Sequence, residues 1–188
     1  MKVLLMDYSV GNIFSIRKAL LDLGVTVTTN YREEYDGIVL PGVGSYDGAL
    51  MNLDREPLIS SMMEKPTLGI CLGMQLMFES SEEGSMPGLG LIRGRVVRLP
   101  KGTKAPHMGW SLVNGWGRLL NGKGYFYFAH SYYIVPQEDI VRGSVDYEGL
   151  ELPAIVEKEN LFGTQFHPEK SGRRGREVLF NFLEVLKR

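Results

Sequence analysis

The chain has 188 residues, 44% of them hydrophobic, which suits one globular domain over residues 1–188 with a core that needs no covalent staple. Its 21 basic and 22 acidic side chains leave a net charge of −1, which excludes a general nucleic-acid binder, because neutralising phosphates takes an excess of Lys and Arg. A single cysteine excludes an internal disulfide and fits a reducing, cytoplasmic setting; no run is long enough for a membrane helix, and the apolar opening is too short for a signal peptide.

Val3 to Met6 is an apolar run ending at Asp7 and predicts a buried strand. Gly11-Asn12 opens a helical pattern that puts Ile13, Ile16, Leu20 and Leu23 on one face, and Gly24 stops it. The β-branched stretch Val25 to Thr29 predicts a second strand. Gly37 to Leu40, closed by Pro41, predicts a third. Asp47 to Met63 reads as helical with an interruption at Pro57, Thr67 to Ile70 as a fourth strand, and Leu72 to Glu79 as a helix. Strand and helix therefore alternate as far as Glu79, which implies a mainly parallel, doubly wound sheet. The pattern then changes. Gly90 to Leu99, Trp110 to Val113, Tyr125 to Val135, Gly143 to Tyr147 and Ala154 to Glu157 look extended, with Gly, Pro and Asn between them. Leu161 to His167 predicts another strand. Arg174 to Lys187 closes the chain as an amphipathic helix with Val178, Leu179, Phe182, Leu183 and Leu186 on its apolar face.

Gly69-Ile70-Cys71-Leu72-Gly73 has the G-x-nucleophile-x-G spacing of a strand-to-helix elbow. Flanking glycines let the backbone turn sharply and lift the sulfur out of the sheet end. The following helix N-terminus favours thiolate and offers the N–H of Leu72 to an oxyanion. A lone cysteine that merely packs is the competing reading. A thiol of pKa ~8.5 needs a basic partner near neutral pH. Of the three histidines, His167 stands out, because Phe166-His167-Pro168-Glu169 puts His and Glu two apart on a segment that Pro168 keeps extended. Both side chains then point one way, and Glu169 can accept from one ring nitrogen while the other faces the thiol. A surface His-x-Glu pair is the commoner origin of such spacing. A metal site is a poorer reading, since three histidines and one cysteine, far apart and without short ligand spacing, do not resemble a zinc pattern. Pro41-Gly42-Val43-Gly44-Ser45 lacks both the full dinucleotide spacing and the Lys of a phosphate loop. Its glycines allow a peptide flip, so Val43 or Gly44 could present a second oxyanion donor; an ordinary strand-ending turn is the alternative.

In this order the motifs resemble the class I, triad-type glutamine amidotransferases: Pro41-Gly-Val-Gly44, then Gly69-Ile-Cys71-Leu-Gly-Met-Gln75, then Phe166-His167-Pro-Glu169. Asp7-Tyr8 with Gly11-Asn12, Pro106-His-Met-Gly-Trp110, Tyr125 to Tyr132 and Gln165 to Ser171 are similar to the glutaminase subunits of imidazole glycerol phosphate synthases. The resemblance covers nearly the whole chain. It implies an α/β, flavodoxin-like fold with a mainly parallel, mixed central sheet flanked by helices. It implies glutamine hydrolysis by Cys71, His167 and Glu169 without cofactor or metal. By the same resemblance Gln75 and Glu83 contact the amino-acid end of glutamine, and His130, Ser131 and Tyr132 form the strand facing its carboxylate. It further implies a heterodimer with a (β/α)8-barrel cyclase, which takes the ammonia to form imidazole glycerol phosphate and an aminoimidazole carboxamide ribotide, with Asn12, Trp110 and Lys170 facing that partner. Ser111 departs from the Asn that often follows the Trp. A subunit of another triad amidotransferase, such as one serving vitamin B6 synthesis, and a non-catalytic module of the same fold are the rival readings.

Overall fold

In the computed structural model, which describes residues 1–9 and 11–187, the short apolar runs become the centre of a nine-stranded sheet. β1 (Lys2–Leu5), β2 (Thr26–Thr28), β3 (Gly37–Leu40), β4 (Thr67–Ile70) and β12 (Leu161–Thr164) lie side by side in the order β2-β1-β3-β4-β12, all parallel. β11 (Leu150–Lys158), β10 (Val141–Tyr147), β7 (His107–Trp116) and β8 (Asn121–His130) continue the sheet beyond β12 as an antiparallel extension. The central strands are apolar on both faces because both faces are covered. Val3 and Leu5 of β1 point to one side, where α1 (Phe14–Leu21) contributes Ile16 and Leu20 and α5 (Gly172–Val185) contributes Val178, Leu179 and Phe182. Leu4 points to the other side. There it meets α2 (Tyr46–Met51), α3 (Arg55–Glu64) and a second sheet of β5 (Phe78–Ser81), β6 (Ile92–Arg98) and β9 (Tyr132–Pro136). The expected α/β architecture, mainly parallel with a mixed extension, is present. Among the described residues no helix is long and apolar enough to cross a membrane.

Four local expectations are corrected. The helical stretch from Asp47 breaks at Asn52 to Asp54, not at Pro57. Pro57 sits in the first turn of α3, where a missing N–H goes unused. The helix after Cys71 is the single turn α4 (Leu72–Gln75); the chain then extends as β5, since Phe78 buries fully and pairs with Ile92. The extended run through Tyr125 to Val135 divides at Ser131, where the chain leaves the large sheet and enters the small one as β9. Beyond β12 the strand does not reach His167; Pro168–Lys170 forms a 3-10 turn.

α4 is held tightly against β3. A Cβ on Gly73 would lie 2.1 Å from Leu40 O and 2.6 Å from its carbonyl carbon, which is backbone that cannot swing aside. Gly73→Ala should therefore destabilise the protein by about 3 kcal/mol, the upper end of ordinary overpacking. Urea unfolding checks this, and an unchanged midpoint would show slack between β3 and α4.

Candidate active site

β4 delivers the chain to Cys71, whose backbone adopts φ 47°, ψ −106°, a conformation side-chain-bearing residues rarely take. The surroundings hold it there. The Cys71 N–H donates to Thr164 O at 2.7 Å, and a Cβ on Gly69 would fall 2.5 Å from Met74 N. Because α4 has only four residues, its aligned dipole is small, and the local donor that matters is the Leu72 N–H at its first position.

The glycine loop closes over this elbow. A Cβ on Gly42 would sit 2.9 Å from Cys71 Cβ and 2.9 Å from His167 Cε1, so the absent side chain is the space in which cysteine and histidine meet. His167 is anchored twice through its backbone. Its N–H donates to Tyr127 O at 2.9 Å, and its carbonyl accepts from Ser171 Oγ at 2.6 Å. Its Nδ1–H donates to Glu169 Oε1 at 2.8 Å, leaving Nε2 for the thiol. The 3-10 turn, not an extended segment, brings the two side chains together. Burial alone would push the His167 pKa down; the hydrogen bonds and opposite charges of Cys71 and Glu169 outweigh it and raise it to about 10. A positive charge on His167 is thus favoured beside Cys71 and Glu169. Glu169 Oε2 is buried with no hydrogen-bond partner among the described residues.

In front of Cys71 lies a cleft of about 200 Å³. Gln75, Glu83, His130, Ser131 and Tyr132 all line it, together with Leu72, Gly42 and Gly44. Gly44 has φ 95°, which only glycine adopts freely. Val43 does not line the cleft and packs against the apolar cluster that contains Tyr46. Glu83 accepts the Tyr46 N–H at 3.3 Å, and burial raises its pKa. Asn12 Oδ1 accepts from Phe14 N–H at 2.8 Å beside the start of α1, and Gly11 abuts Val43 and Gly44. Trp110 is 56% exposed on β7 and meets Tyr127 edge to face; Lys170 is exposed at the end of the 3-10 turn.

Sequence reasoning misses Gln165 as a site residue. It is fully buried, and its Nε2–H donates to Cys71 Sγ at 3.5 Å. Its place between the apolar run of β12 and His167 is the available signal. The pairing of His107 with His130 is missed as well. Their rings lie 3.0 Å apart, Nδ1 of one to Nε2 of the other, with His107 stacked on Tyr147 and Phe128. Burial lowers the pKa of His107 to about 4 against the pull of Glu148, and that of His130 to about 3.

A family model described as glutamine amidotransferase class-I matches residues 4–186. The chain belongs to that family. This amidotransferase is 47% identical to the imidazole glycerol phosphate synthase subunit HisH of Moorella thermoacetica, over 98% of this chain and 95% of that protein. It is 45% identical to the HisH subunit of Methanothermobacter thermautotrophicus, over 98% and 99%. Solved structures share the amidotransferase's fold at low identity. PurLQS from Thermotoga maritima superposes with a TM-score of 0.78 at 22% identity, over 98% of each chain. A putative GMP synthase component from Thermoplasma acidophilum gives 0.74 at 20%, over 100% and 94%.

Burial of the histidine pair should make the amidotransferase acid-sensitive. In the unfolded chain both rings take protons near pH ~6.5, whereas folded they resist until about 4 and about 3. Between those limits the unfolded state holds more protons, so stability falls as pH falls. His107→Phe, which keeps the stacked ring, should lose less thermal stability than wild type between pH 7 and pH 4.5. Equal losses would place the sensitivity elsewhere.

Proposed function

We propose that this amidotransferase is the glutaminase subunit of an imidazole glycerol phosphate synthase, acting as a single domain over its 188 residues. The observation that carries the chemistry is the meeting of Cys71 and His167 across Gly42, with Glu169 bound to the far nitrogen of the ring. The specific assignment is supported by identities of 47% and 45% over nearly the full length of HisH subunits.

Glutamine enters the cleft with its side-chain amide toward Cys71. The sulfur attacks the amide carbon, and negative charge develops on the carbonyl oxygen. The Leu72 N–H stabilises it, with a second donor from the Val43–Gly44 loop. His167 gives its proton to the departing nitrogen, releasing ammonia and leaving a thioester. The now neutral ring takes a proton from water as it attacks the thioester, and glutamate leaves with the thiolate restored. One water is consumed for each ammonia released. Glu169 holds the ring and balances its charge throughout. At the far end of the substrate, Glu83 faces the ammonium, Gln75 the amino-acid end, and the His130–Tyr132 backbone the carboxylate.

The ammonia is then used by a partner cyclase of (β/α)8 type, with which the chain forms a heterodimer. Support for a docking face comes from the hairpin β7–β8. Met108, Trp110, Leu112 and Tyr125 stand exposed on one of its faces, and Ala129 on the same face lines the cleft mouth. Asn12, which follows the Gly11 that abuts the glycine loop, and Lys170, at the end of the His167 turn, would face the same partner.

Cys71→Ala should abolish ammonia release from glutamine, and His167→Ala should reduce it at least about a thousandfold, as in a triad that loses its base. Glu169→Gln should cost less: its oxygen can still accept from Nδ1–H, and the amide nitrogen would take the place of Oε2, which has no partner to lose. Glutamate formation by the purified complexes reads all three. Near wild-type release by Cys71→Ala would remove the nucleophile assignment.

The lone chain should be a poor glutaminase that is activated by its cyclase, and Lys170→Ala should weaken that activation more than it lowers the unfolding temperature. Rates with and without the cyclase test both points. Full activity of the chain alone would overturn partner control, and unchanged activation in Lys170→Ala would take that residue off the docking face.

A further inference from the structure

Between the outer hairpin and Cys71, polar side chains in two arms joined at one backbone carbonyl form a continuous hydrogen-bonded chain, and that carbonyl sets its direction. Tyr132 O, a backbone carbonyl, can only accept. Two groups approach it, His130 Nδ1 at 2.8 Å and Gln75 Nε2 at 2.9 Å. Each must therefore be an N–H donor, however ring and amide are otherwise assigned.

Both arms follow from this. With Nδ1 protonated, neutral His130 presents Nε2 as an acceptor, so His107 Nδ1, 3.0 Å away, carries a proton and donates. His107 Nε2 is then the acceptor for Ser111 Oγ–H at 2.8 Å. On the other arm the second N–H of Gln75 donates to Gln165 Oε1 at 3.2 Å. That turns the Gln165 amide nitrogen toward Cys71 Sγ at 3.5 Å, within reach for a sulfur acceptor. The links are well built. Gln165 is fully buried, Gln75 and His107 nearly so, and the His107 ring is clamped between Tyr147 at 3.8 Å and Phe128 at 4.4 Å. A neutral ring is required at both histidines for the order to hold, and their burial keeps them neutral near pH 7.

We propose that Ser111, His107, His130, Gln75 and Gln165 act as one positioning chain for Cys71, with Gln165 as its terminal donor and Ser111 as its outer end on the docking hairpin. An N–H aimed at sulfur supports negative charge on it and restricts where it can point. The Tyr132 carbonyl, held from both sides, ties that donor to the strand that lines the cleft. Ser111 lies between Trp110 and Leu112, whose side chains stand on the exposed face, so a shift of β7 on docking moves the outer end of the chain. This rests on Cys71 being the nucleophile.

The test uses the complex with its cyclase for kcat and KM, and the alkylation rate of Cys71 by iodoacetamide as a readout independent of turnover. Gln165→Leu should lower kcat about tenfold, with a smaller change in KM, and slow alkylation. His107→Phe and Ser111→Ala should each lower kcat about threefold, and Ser111→Thr, which keeps the hydroxyl, should restore it. Thermal unfolding identifies any variant that fails to fold; if Gln165→Leu does, the Ser111→Ala and Ser111→Thr pair decides. Wild-type kcat and alkylation in folded Gln165→Leu, or equal rates in the two Ser111 variants, would overturn the chain. Cys71→Ala in the same assay separates the two claims. Turnover by that variant sinks the nucleophile reading, whereas an inactive Cys71→Ala beside unaffected Gln165 and Ser111 variants sinks only the positioning chain.

Discussion

The hydrogen bond from Cys71 N–H to Thr164 O ties β4 to β12 at the point where the chain turns out of the sheet. Without it the positive φ of Cys71 would relax, since such a conformation stores about 1–3 kcal/mol. The parallel pairing of β4 with both β3 and β12 supplies the opposing rigidity. Glycines then let neighbouring backbone close in: Gly73 onto Leu40, Gly69 under Met74, and Gly42 between Cys71 and His167. The elbow is thus a property of three adjacent strands and one helical turn, and its local strain is borne by the sheet.

Different parts of the fold contribute different parts of the cleft. The parallel half supplies the cysteine and the glycine loop at the C-terminal ends of its strands, where ligands bind in open α/β sheets. The antiparallel extension supplies Ala129 and His130, and the crossing at Ser131 carries Tyr132 into the small sheet. The turn after β12 supplies His167 and Glu169. A substrate in this cleft would touch the parallel half, the antiparallel extension and the small sheet at once, with His167 behind Cys71, so the relative setting of the two sheets controls its shape. The Gln75 and His130 bonds to Tyr132 O span that junction.

Much of this is legible in the residues. The short apolar runs of β1, β3 and β4 and the apolar stripe of α5 stand in the chain where expected, because burial on both faces or along one stripe leaves a simple pattern. The extent of α4 is not legible. Met74, Leu76, Met77 and Phe78 are all buried, and Gln75 at the end of α4 is a polar residue buried with them, so no change of exposure marks where helix gives way to strand. The break at Ser131 is hidden for a similar reason, as β8 and β9 are both extended and only their sheet membership differs. Cys71, His167 and Glu169 can be argued from spacing, although the 3-10 turn that joins the last two cannot. Gln75, Glu83 and His130 to Tyr132 come from resemblance alone; as residues they read as a helix surface, an acidic run and an aromatic strand. Gln165 and His107 gain meaning only from partners distant in sequence.

The last strand of the large sheet, β8, has no neighbouring strand on its outer side among the described residues. The outward backbone groups of a ten-residue strand next to exposed Trp110, Leu112 and Tyr125 would be a template for strand addition between copies of the chain. Three of its outward groups are instead capped. Tyr127 N–H donates to Ser171 Oγ, Tyr127 O accepts the His167 N–H, and Lys123 O accepts from the Arg174 guanidinium. The segment that carries His167 is therefore also the selvedge of the sheet. Substitutions that loosen it would uncover a sticky edge as well as misplace the ring, so loss of turnover and onset of aggregation are coupled there by construction.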